Sequence, residues 1–265
     1  MGRVRGERKR SEVCGRAADI MGFQMNDSKP QGLKKKAAKI VADLKKLFPE
    51  SKIALNYSNN WELYVAVVLS AQCTDKKVNE VTEKLFKKYP RFENYINVGP
   101  KEFEQDIKPT GFYHNKAKSI LAAARMIKEK FNGEMPKSME DMLTIPGVGR
   151  KTANVVLGNA YGVHEGIAVD THVRRLTRLL GLSDKSDPDK IEKDLMHILP
   201  KKEWFEFTYR LIDYGRKYCP ARPHNHKNCP LYKYEDVYPA HTTTAIRLTR
   251  FYIVMAPLLQ FVTSP

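Results

Sequence analysis

The sequence LTIPGVGRKTANVV, residues Leu143 to Val156, sets a Pro-Gly-Val-Gly turn between two apolar runs. Gly147 and Gly149 let the backbone take positive φ and remove side chains, so main-chain N–H groups can approach a phosphate oxygen. Arg150 and Lys151 follow on the first turn of the next helix, whose N-terminal dipole would face the same phosphate. A plain glycine-rich connection between helices is the simpler alternative. We interpret the stretch as a helix–hairpin–helix clamp that holds a DNA backbone through Gly147, Gly149 and Arg150 without reading its sequence.

The charge of the chain points to a polyanionic partner. Its 46 Lys and Arg residues against 30 Asp and Glu give a formal net charge of +16 over 265 residues. Such an excess is typical of proteins that bind nucleic acid, although an acidic membrane surface would also fit.

Cysteine usage and hydropathy bear on the compartment. The four cysteines are too few and too scattered for a secreted disulfide framework. The N-terminus has no apolar signal-peptide core, and the apolar run at residues 251–262 is roughly half of the ~20 residues that a membrane span needs. We therefore expect a protein that is neither secreted nor membrane-bound, located in the cytoplasm and nucleoid or in a nucleus.

The apolar pattern is helical throughout the middle of the chain. Apolar side chains recur every three or four residues from Ala37 to Phe48, and Leu63–Ala71 is apolar enough for a buried central helix. Further helices are predicted at residues 116–131, 150–161, 169–180, 188–199 and 203–218. Runs of alternating β-branched residues between turn pairs are missing from the sequence, which predicts an all-α fold.

The two ends differ in composition from the middle. Residues 1–24 carry five Arg and one Lys, and no Lys, Asp or Glu follows Ala240. We predict that a basic extension at residues 1–28 and an atypical tail at 239–265 lie outside the fold.

Four motifs in order along the chain resemble the endonuclease III family of helix–hairpin–helix DNA glycosylases. They are LSAQCTD at residues 69–75, GFYHNKAKSI at 111–120, LTIPGVGRKTANVVLGNAYG at 143–162 and IAVDTH at 167–172. The resemblance covers roughly residues 29–237. It implies a two-lobed fold, with a helical barrel at 53–163 and a second lobe made from 29–52 and 164–238. Duplex DNA would lie across the cleft between the lobes.

By this resemblance Lys151 is the amine nucleophile and Asp170 its catalytic partner. Lys151 would attack C1′ of a damaged nucleotide and form a Schiff base, which undergoes β-elimination and nicks the strand. An amine forms an imine only when unprotonated, and we expect Arg150 and partial burial to favour the neutral amine. Asp170 would stabilise positive charge on the sugar and help to deprotonate Lys151 or water. A phosphate contact by Lys151 and a helix-capping role for Asp170 are the simpler alternatives.

The target atom lies inside the duplex, so the nucleotide must flip out and leave a hole. The resemblance assigns Gln72 to that hole and Phe112 to a wedge against the opposite strand. Phe112 is alternatively a loop aromatic packed on the next helix. Asp75 would cap the following helix or line the base pocket. His172 would contact DNA or stabilise its own helix.

The resemblance also implies a [4Fe–4S] cluster held by a Cys-x6-Cys-x2-Cys-x5-Cys segment. Counted from Cys219, the four positions fall on Cys219, His226, Cys229 and Glu235. Two of the four thiolates are therefore missing, which predicts that a cluster is absent or weak. The chemistry assigned to Lys151 needs no cofactor.

Three interpretations of this segment stay open. The cluster is lost and the loop packs through apolar residues, or His226 ligates a weak cluster, or a zinc ion is bound by Cys219, His226 and Cys229 with His224 or Glu235. The loop-packing interpretation, which we favour, uses Pro220, Pro223, Leu231 and Tyr232.

The resemblance predicts a monomeric base-excision-repair enzyme that removes oxidised pyrimidines from double-stranded DNA and cleaves 3′ to the abasic site. Two other classes remain open. One is a monofunctional mismatch or adenine glycosylase, against which Lys151 argues, because such members generally lack lysine at this position. The other is a non-catalytic DNA-binding protein that retains only the hairpin.

Overall fold

The computed structural model of the chain describes residues 28–235, and all regular secondary structure in that range is helical. This confirms the all-α fold. Eleven α-helices lie within the described range: α1 (Ser28–Leu47), α2 (Asn60–Leu69), α3 (Asp75–Lys88), α4 (Phe92–Asn97), α5 (Pro100–Ile107), α6 (Tyr113–Phe131), α7 (Met139–Thr144), α8 (Arg150–Tyr161), α9 (Thr171–Leu179), α10 (Pro188–Ile198) and α11 (Trp204–Lys217). The predicted tail and all but the last residue of the predicted extension lie outside the described residues.

The helix boundaries follow local sequence signals. α8 spans the predicted residues 150–161, and α6 ends at Asn132 and Gly133, both with positive φ. The predicted start of α9 at residue 169 is wrong. The helix begins at Thr171, and Asp170, whose backbone is extended, is its N-cap. The short helices α4, α5 and α7 were not predicted, since six to eight residues are too few to establish a helical period.

Buried side chains form two separate hydrophobic clusters. The first contains Tyr64, Tyr95 and Phe103 and is built from residues 55–157. The second joins Leu44 of α1 to residues between 167 and 231. α1 thus packs against the C-terminal helices α10 and α11 rather than against the helices that follow it. The two clusters support the proposed division into lobes, whose exact limits stay a prediction.

No helix within residues 28–235 has both the length and the hydropathy needed to cross a bilayer.

A buried carboxylate on α10 connects the two clusters. One oxygen of Glu192 accepts a hydrogen bond from the Arg150 guanidinium at 2.5 Å. The other accepts from the Asn154 amide at 2.8 Å and from the Ile167 backbone N–H at 3.1 Å. Glu192 therefore holds the start of α8 against the segment that leads to Asp170.

The Glu192 carboxylate also explains why residue 166 is a glycine. A Cβ added at Gly166 would lie 1.8 Å from Glu192 Oε1 and 2.8 Å from Asn154 Nδ2. Both atoms belong to the buried network, so neither can move without breaking a hydrogen bond. Gly166 is therefore required by packing.

We expect Glu192→Ala to lower the free energy of unfolding by about 3–5 kcal/mol, because it leaves a half-buried guanidinium and two buried N–H donors unpaired. The matched control is Asp189→Ala, which removes an exposed carboxylate from the first turn of the same helix. Its expected cost is at most ~1 kcal/mol, the value of a helix-dipole charge. Urea unfolding followed by circular dichroism measures both. Equal losses in the two variants would contradict a bridging role for Glu192.

Candidate active site and DNA interface

The hairpin between α7 and α8 is held from within the fold. The Val148 N–H donates to the Ile145 carbonyl at 3.1 Å, and the buried Tyr64 hydroxyl of α2 donates to the Pro146 carbonyl at 3.3 Å. Gly147 has a φ of +80°, and a Cβ there would lie 2.7 Å from Ser119. Conformation and packing therefore both require glycine at position 147.

Gly149 is a glycine for a different reason. It is the N-cap of α8 with a φ of −99°, so the expectation of positive φ at both glycines is wrong here. A Cβ at Gly149 would meet no described atom within 4 Å. No side chain caps the first turn of α8, whereas Asp170 caps α9. The fold leaves open the space through which an anion would approach the free N–H groups of α8.

The two cations after the hairpin have different environments. Arg150 is about one-third exposed and pairs with Glu192, and that hydrogen bond raises the pKa of its guanidinium. Lys151 is exposed and has no hydrogen-bond or ion-pair partner among the described residues. The expected partial burial of Lys151 is wrong, because its side chain is exposed although it lines a cleft. A DNA contact by Arg150 stays a prediction.

Lys151 and Asp170 line the same cleft, which measures about 480 Å³. Asp170 Oδ1 accepts a hydrogen bond from the Val173 N–H at 2.8 Å, which confirms the expected capping geometry. Val67 of the first hydrophobic cluster forms part of the wall, and Ala168, which lies between Ile167 and Val169 of the second cluster, forms another part. A cavity of this size falls within the range of ~300–1,000 Å³ that suits a small ligand, so it has room for one nucleotide.

Asp75 and Gln72 also line this cleft. The cap of α3 is Thr74, whose hydroxyl accepts from the Lys77 N–H at 3.3 Å, so the capping interpretation of Asp75 is wrong. Asp75 instead pairs with Arg216 at 2.6 Å. Asp75 therefore lines the wall of the cleft, which agrees with the second of the two alternatives predicted for it.

His172 lies half-buried at the start of α9. Its Nδ1 atom is buried without a hydrogen-bond partner in the described part of the chain. A Cβ added at Gly215 of α11 would lie only 2.6 Å from this nitrogen, so the ring packs closely against the glycine. Burial lowers the pKa of His172 and outweighs the opposing effect of Asp170. A neutral ring packed on α11 supports the helix-stabilising interpretation, and a DNA contact by His172 stays a prediction.

The two residues predicted to enter the duplex share an unusual backbone conformation. Gln72 and Phe112 have φ of +54° and +49°, in the left-handed region that non-glycine residues rarely adopt. Both side chains are exposed, and 61% of Phe112 is accessible. The interpretation of Phe112 as a packed loop aromatic is therefore wrong. Such strain persists only where the surrounding structure imposes it, and it often marks functional positions.

Lys116 links the loops that carry Gln72 and Phe112 through hydrogen bonds, and it was not among the predicted site residues. Its buried ammonium group donates to the Leu69 carbonyl at 2.8 Å and to the Thr110 carbonyl at 2.8 Å. Burial lowers its pKa. One side chain thus ties the end of α2, which precedes Gln72, to the turn that precedes Phe112. A lysine on an amphipathic helix is normally exposed, so nothing in the sequence signalled this role.

A second concavity, of about 640 Å³, adjoins the cleft and shares Thr171 and His172 with it. Its remaining lining is dominated by cations, namely Arg174, Arg175, Arg178 and Lys185. These arginines follow the IAVDTH motif and were not among the predicted DNA-binding residues. The spacing VRRLTR places them on one side of α9, opposite the buried Val173 and Leu176.

Four side chains after α11 could hold a metal ion. The donor atoms of Cys219, His224, His226 and Cys229 all lie within 4.8 Å of one another. The loop-packing interpretation holds for Leu231, which is fully buried, but is wrong for Pro223, which is exposed, and for Tyr232, which is 40% exposed. The two cysteines supply the other buried contacts of this loop.

Comparisons with known proteins place this geometry in a family. Residues 65–201 match the model of the HhH-GPD superfamily base excision DNA repair protein. Endonuclease III from Synechocystis is 48% identical over 189 residues, which cover 71% of this chain and 86% of the relative.

Two solved structures are similar over most of their length. A non-covalent endonuclease III–DNA complex matches with a TM-score of 0.73 and 41% identity, over 82% of this chain and 98% of the other. A trapped endonuclease III–DNA covalent intermediate matches with a TM-score of 0.73 and 44% identity, over 76% and 95%. The fold and site thus define a helix–hairpin–helix base-excision-repair protein. The chain belongs to the endonuclease III family of that superfamily.

The two hairpin glycines provide a matched pair of variants. We expect Gly147→Ala to destabilise the protein by ~1–3 kcal/mol, because it strains a left-handed residue and contacts Ser119. We expect Gly149→Ala to leave the free energy of unfolding nearly unchanged but to weaken binding to an abasic duplex by about tenfold, or 1.4 kcal/mol. Thermal unfolding and fluorescence anisotropy measure the two effects. A Gly149→Ala variant that binds as well as the wild type would show that position 149 does not approach DNA.

We expect Lys116→Met to destabilise the protein by ~1–3 kcal/mol, because two carbonyls lose their charged donor. It should also speed hydrogen exchange in the loops around Gln72 and Phe112. Lys118→Met, at an exposed position of the same helix, is the control and should change neither quantity. Hydrogen exchange read by mass spectrometry gives the loop-by-loop comparison. Unchanged exchange in both loops would mean that Lys116 does not position them.

Proposed function

We propose that this protein removes oxidised pyrimidines from double-stranded DNA and cleaves the strand 3′ to the resulting abasic site. Its family membership makes it a DNA glycosylase with AP lyase activity that acts in base excision repair. The observation that carries the assignment of residues is the exposed Lys151 amine, which has no side-chain partner within residues 28–235 and lines one cleft with the Asp170 carboxylate.

The first step in this proposal is extrusion of the damaged nucleotide. Gln72 fills the space that it leaves, and Phe112 wedges between bases of the opposite strand. Their left-handed backbone and exposure support these roles, because both side chains already project from the surface without rearrangement. Unstacking the DNA bases costs a few kcal/mol. Because the loop that carries Phe112 is already formed, little further conformational entropy is lost when its side chain enters the duplex.

Lys151 then acts as the nucleophile. Its neutral amine attacks C1′ while the C1′–base bond breaks, and the departing base takes a proton. Opening of the sugar ring gives a C1′ imine on Lys151. Loss of a C2′ proton then expels the 3′ phosphate, which nicks the strand, and water finally hydrolyses the imine to regenerate the amine.

Asp170 supports this chemistry through its charge and its position. Only Oδ1 is engaged by the α9 cap, within the described residues, so the carboxylate retains an oxygen that can accept a proton from the Lys151 ammonium. The same negative charge stabilises the cationic sugar as the base leaves. The roles of helix cap and catalytic carboxylate are therefore compatible in one residue.

Phosphate groups are held by backbone and side chains together. In this proposal the N–H groups around Gly147 and Gly149 bind one phosphate at the uncapped start of α8. Arg174 and Arg178 extend the positive surface beside the cleft and would meet the phosphates that follow. Arg150 contributes mainly through its ion pair with Glu192, which fixes the start of the helix.

We further propose that the enzyme acts as a monomer and requires no cofactor for the chemistry, since one cleft of one chain holds both Lys151 and Asp170. A DNA substrate would place it in the nucleoid-containing cytoplasm or in a nucleus. A [4Fe–4S] cluster is not part of this proposal, because two of the four family positions are His226 and Glu235.

Borohydride trapping on a duplex with one abasic site or one thymine glycol tests the proposal. The expected result is a covalent protein–DNA band from the wild type and none from Lys151→Gln. The matched control is Lys52→Gln, since Lys52 is another exposed amine in the lining of the same cleft. It should trap as the wild type does. Asp170→Asn should bind DNA while trapping slows by ~10²–10⁴-fold, the usual contribution of a positioned acid or base.

Three results would overturn parts of the proposal. Loss of trapping in Lys52→Gln, with normal trapping in Lys151→Gln, would move the nucleophile. Base release without any trapped band in the wild type would indicate a monofunctional glycosylase. DNA binding without base release or trapping, in protein folded by circular dichroism, would indicate a non-catalytic DNA-binding protein.

A further inference from the structure

The segment after α11 departs from the cluster site of the family in both donors and dimensions. A [4Fe–4S] cube places each ligand on a different iron, so its four donor atoms surround a cluster rather than a single point. In this chain the four donor atoms lie within 4.8 Å of one another, and two of them are imidazole nitrogens. This set is too compact and too poor in thiolate for the cube. It has the size of a site for one ion.

The separations fit tetrahedral coordination. Zinc–sulfur bonds of ≈2.3 Å and zinc–nitrogen bonds of ≈2.0–2.1 Å give tetrahedron edges of roughly 3.3–3.8 Å. Cys219 Sγ lies 3.8 Å from His226 Nδ1, and Cys229 Sγ lies 3.3 Å from His224 Nε2. The rings of the two histidines lie side by side, with centroids 4.2 Å apart. Both measured separations are within ~0.3 Å of the ~3.6 Å edge expected for a sulfur–nitrogen pair, and the remaining separations are at most 4.8 Å.

Hydrogen bonds around the four residues prepare them to bind a metal. His224 Nδ1 lies 2.9 Å from the Arg222 carbonyl, to which only a protonated nitrogen can donate. This fixes the tautomer in which Nε2, the atom beside Cys229, has a free lone pair. Arg175 donates to the Cys219 carbonyl, and its guanidinium lies 3.5 Å from the Cys219 Sγ, so it holds this residue in place.

We propose that Cys219, His224, His226 and Cys229 bind one zinc ion in a tetrahedral site that replaces the iron–sulfur cluster of the family. Two thiolates and two imidazoles in tetrahedral geometry are the donor set that zinc prefers. With all four positions filled by protein, the ion has no open position and is structural. The position of His224 is not one of the four family positions, whereas Glu235 is.

Glu235 has a different role in this arrangement. Its carboxylate lies 3.2 Å from His226 Nδ1 and accepts the proton of that nitrogen when no metal is bound. Zinc takes the lone pair of the same nitrogen and displaces the proton, as metal binding to histidine requires. The ion would then tie the end of α11 to the 3₁₀ turn His226–Asn228 and to the buried Leu231. It would also support the cation-lined concavity, which includes Ala221 and Arg175.

The test measures metal in the full-length, tag-free protein by inductively coupled plasma mass spectrometry. Protein is assayed as purified, and again after incubation with zinc sulfate and desalting. One zinc per chain and no stoichiometric iron is the expected result. Cobalt(II) added to protein stripped with chelator should give the visible bands of tetrahedral cobalt and a thiolate-to-cobalt charge-transfer band. None of these readouts depends on DNA cleavage, so they are independent of the proposed function.

Two variants distinguish this site from the family pattern. His224→Ala should lose the zinc on desalting, and Glu235→Ala should retain it. The reverse result would return the ligand set to the family positions and overturn the proposal. About four iron atoms per chain, with sulfide, would overturn it as well. So would wild-type protein that keeps no zinc after desalting and gives no tetrahedral cobalt spectrum. If His224→Ala does not fold, the cobalt spectrum of the wild type still decides the geometry.

Discussion

The buried carboxylate of Glu192 is the contact on which the geometry of the site depends. It is bonded at once to Arg150 and Asn154 of the hairpin helix and to Ile167, three residues before Asp170. Lys151, the proposed nucleophile, follows Arg150, so a single side chain sets the relation of Lys151 to Asp170 although their chain neighbours Ala153 and Val169 belong to different hydrophobic clusters. A buried charge of this kind costs desolvation energy, and its full set of partners offsets that cost. Gly166 leaves the space that the network occupies.

The surface that we propose faces DNA is built from strained or open backbone that the core holds in place. Gln72 and Phe112 have left-handed backbone conformations, and the buried Lys116 ammonium group donates hydrogen bonds to nearby carbonyls in both loops. Gly149 keeps an open approach to the start of α8, and the hairpin before it is anchored by Tyr64. The surface is therefore largely preformed, and a preformed surface reduces the entropy that binding must spend on ordering loops.

The proposed zinc site would let the C-terminal loop of this fold be held together by a chemistry different from that of the family cluster. Cys219 and Cys229 stay buried in the second hydrophobic cluster, and histidines have moved into the space between them. Two histidines at alternate positions, 224 and 226, suit a single ion where a cluster would need four separated thiolates. The catalytic cleft contains none of these residues. A change of this kind therefore alters what holds the loop together without altering Lys151 or Asp170.

Local sequence signals were sufficient for the longer helices, for the cap at Asp170 and for the hairpin with Gly147, because periodicity, capping and positive φ act between neighbouring residues. The four motifs, in their order along the chain, were sufficient to identify the family. The partners of Arg150 and Lys116, the exposure of Lys151 and the packing of His172 could not be read from the chain. Each depends on residues far apart in sequence that meet only when the helices pack. The sequence offered His224 or Glu235 as the fourth zinc ligand, and only the fold favours His224, because it places the ring of His224 beside Cys229.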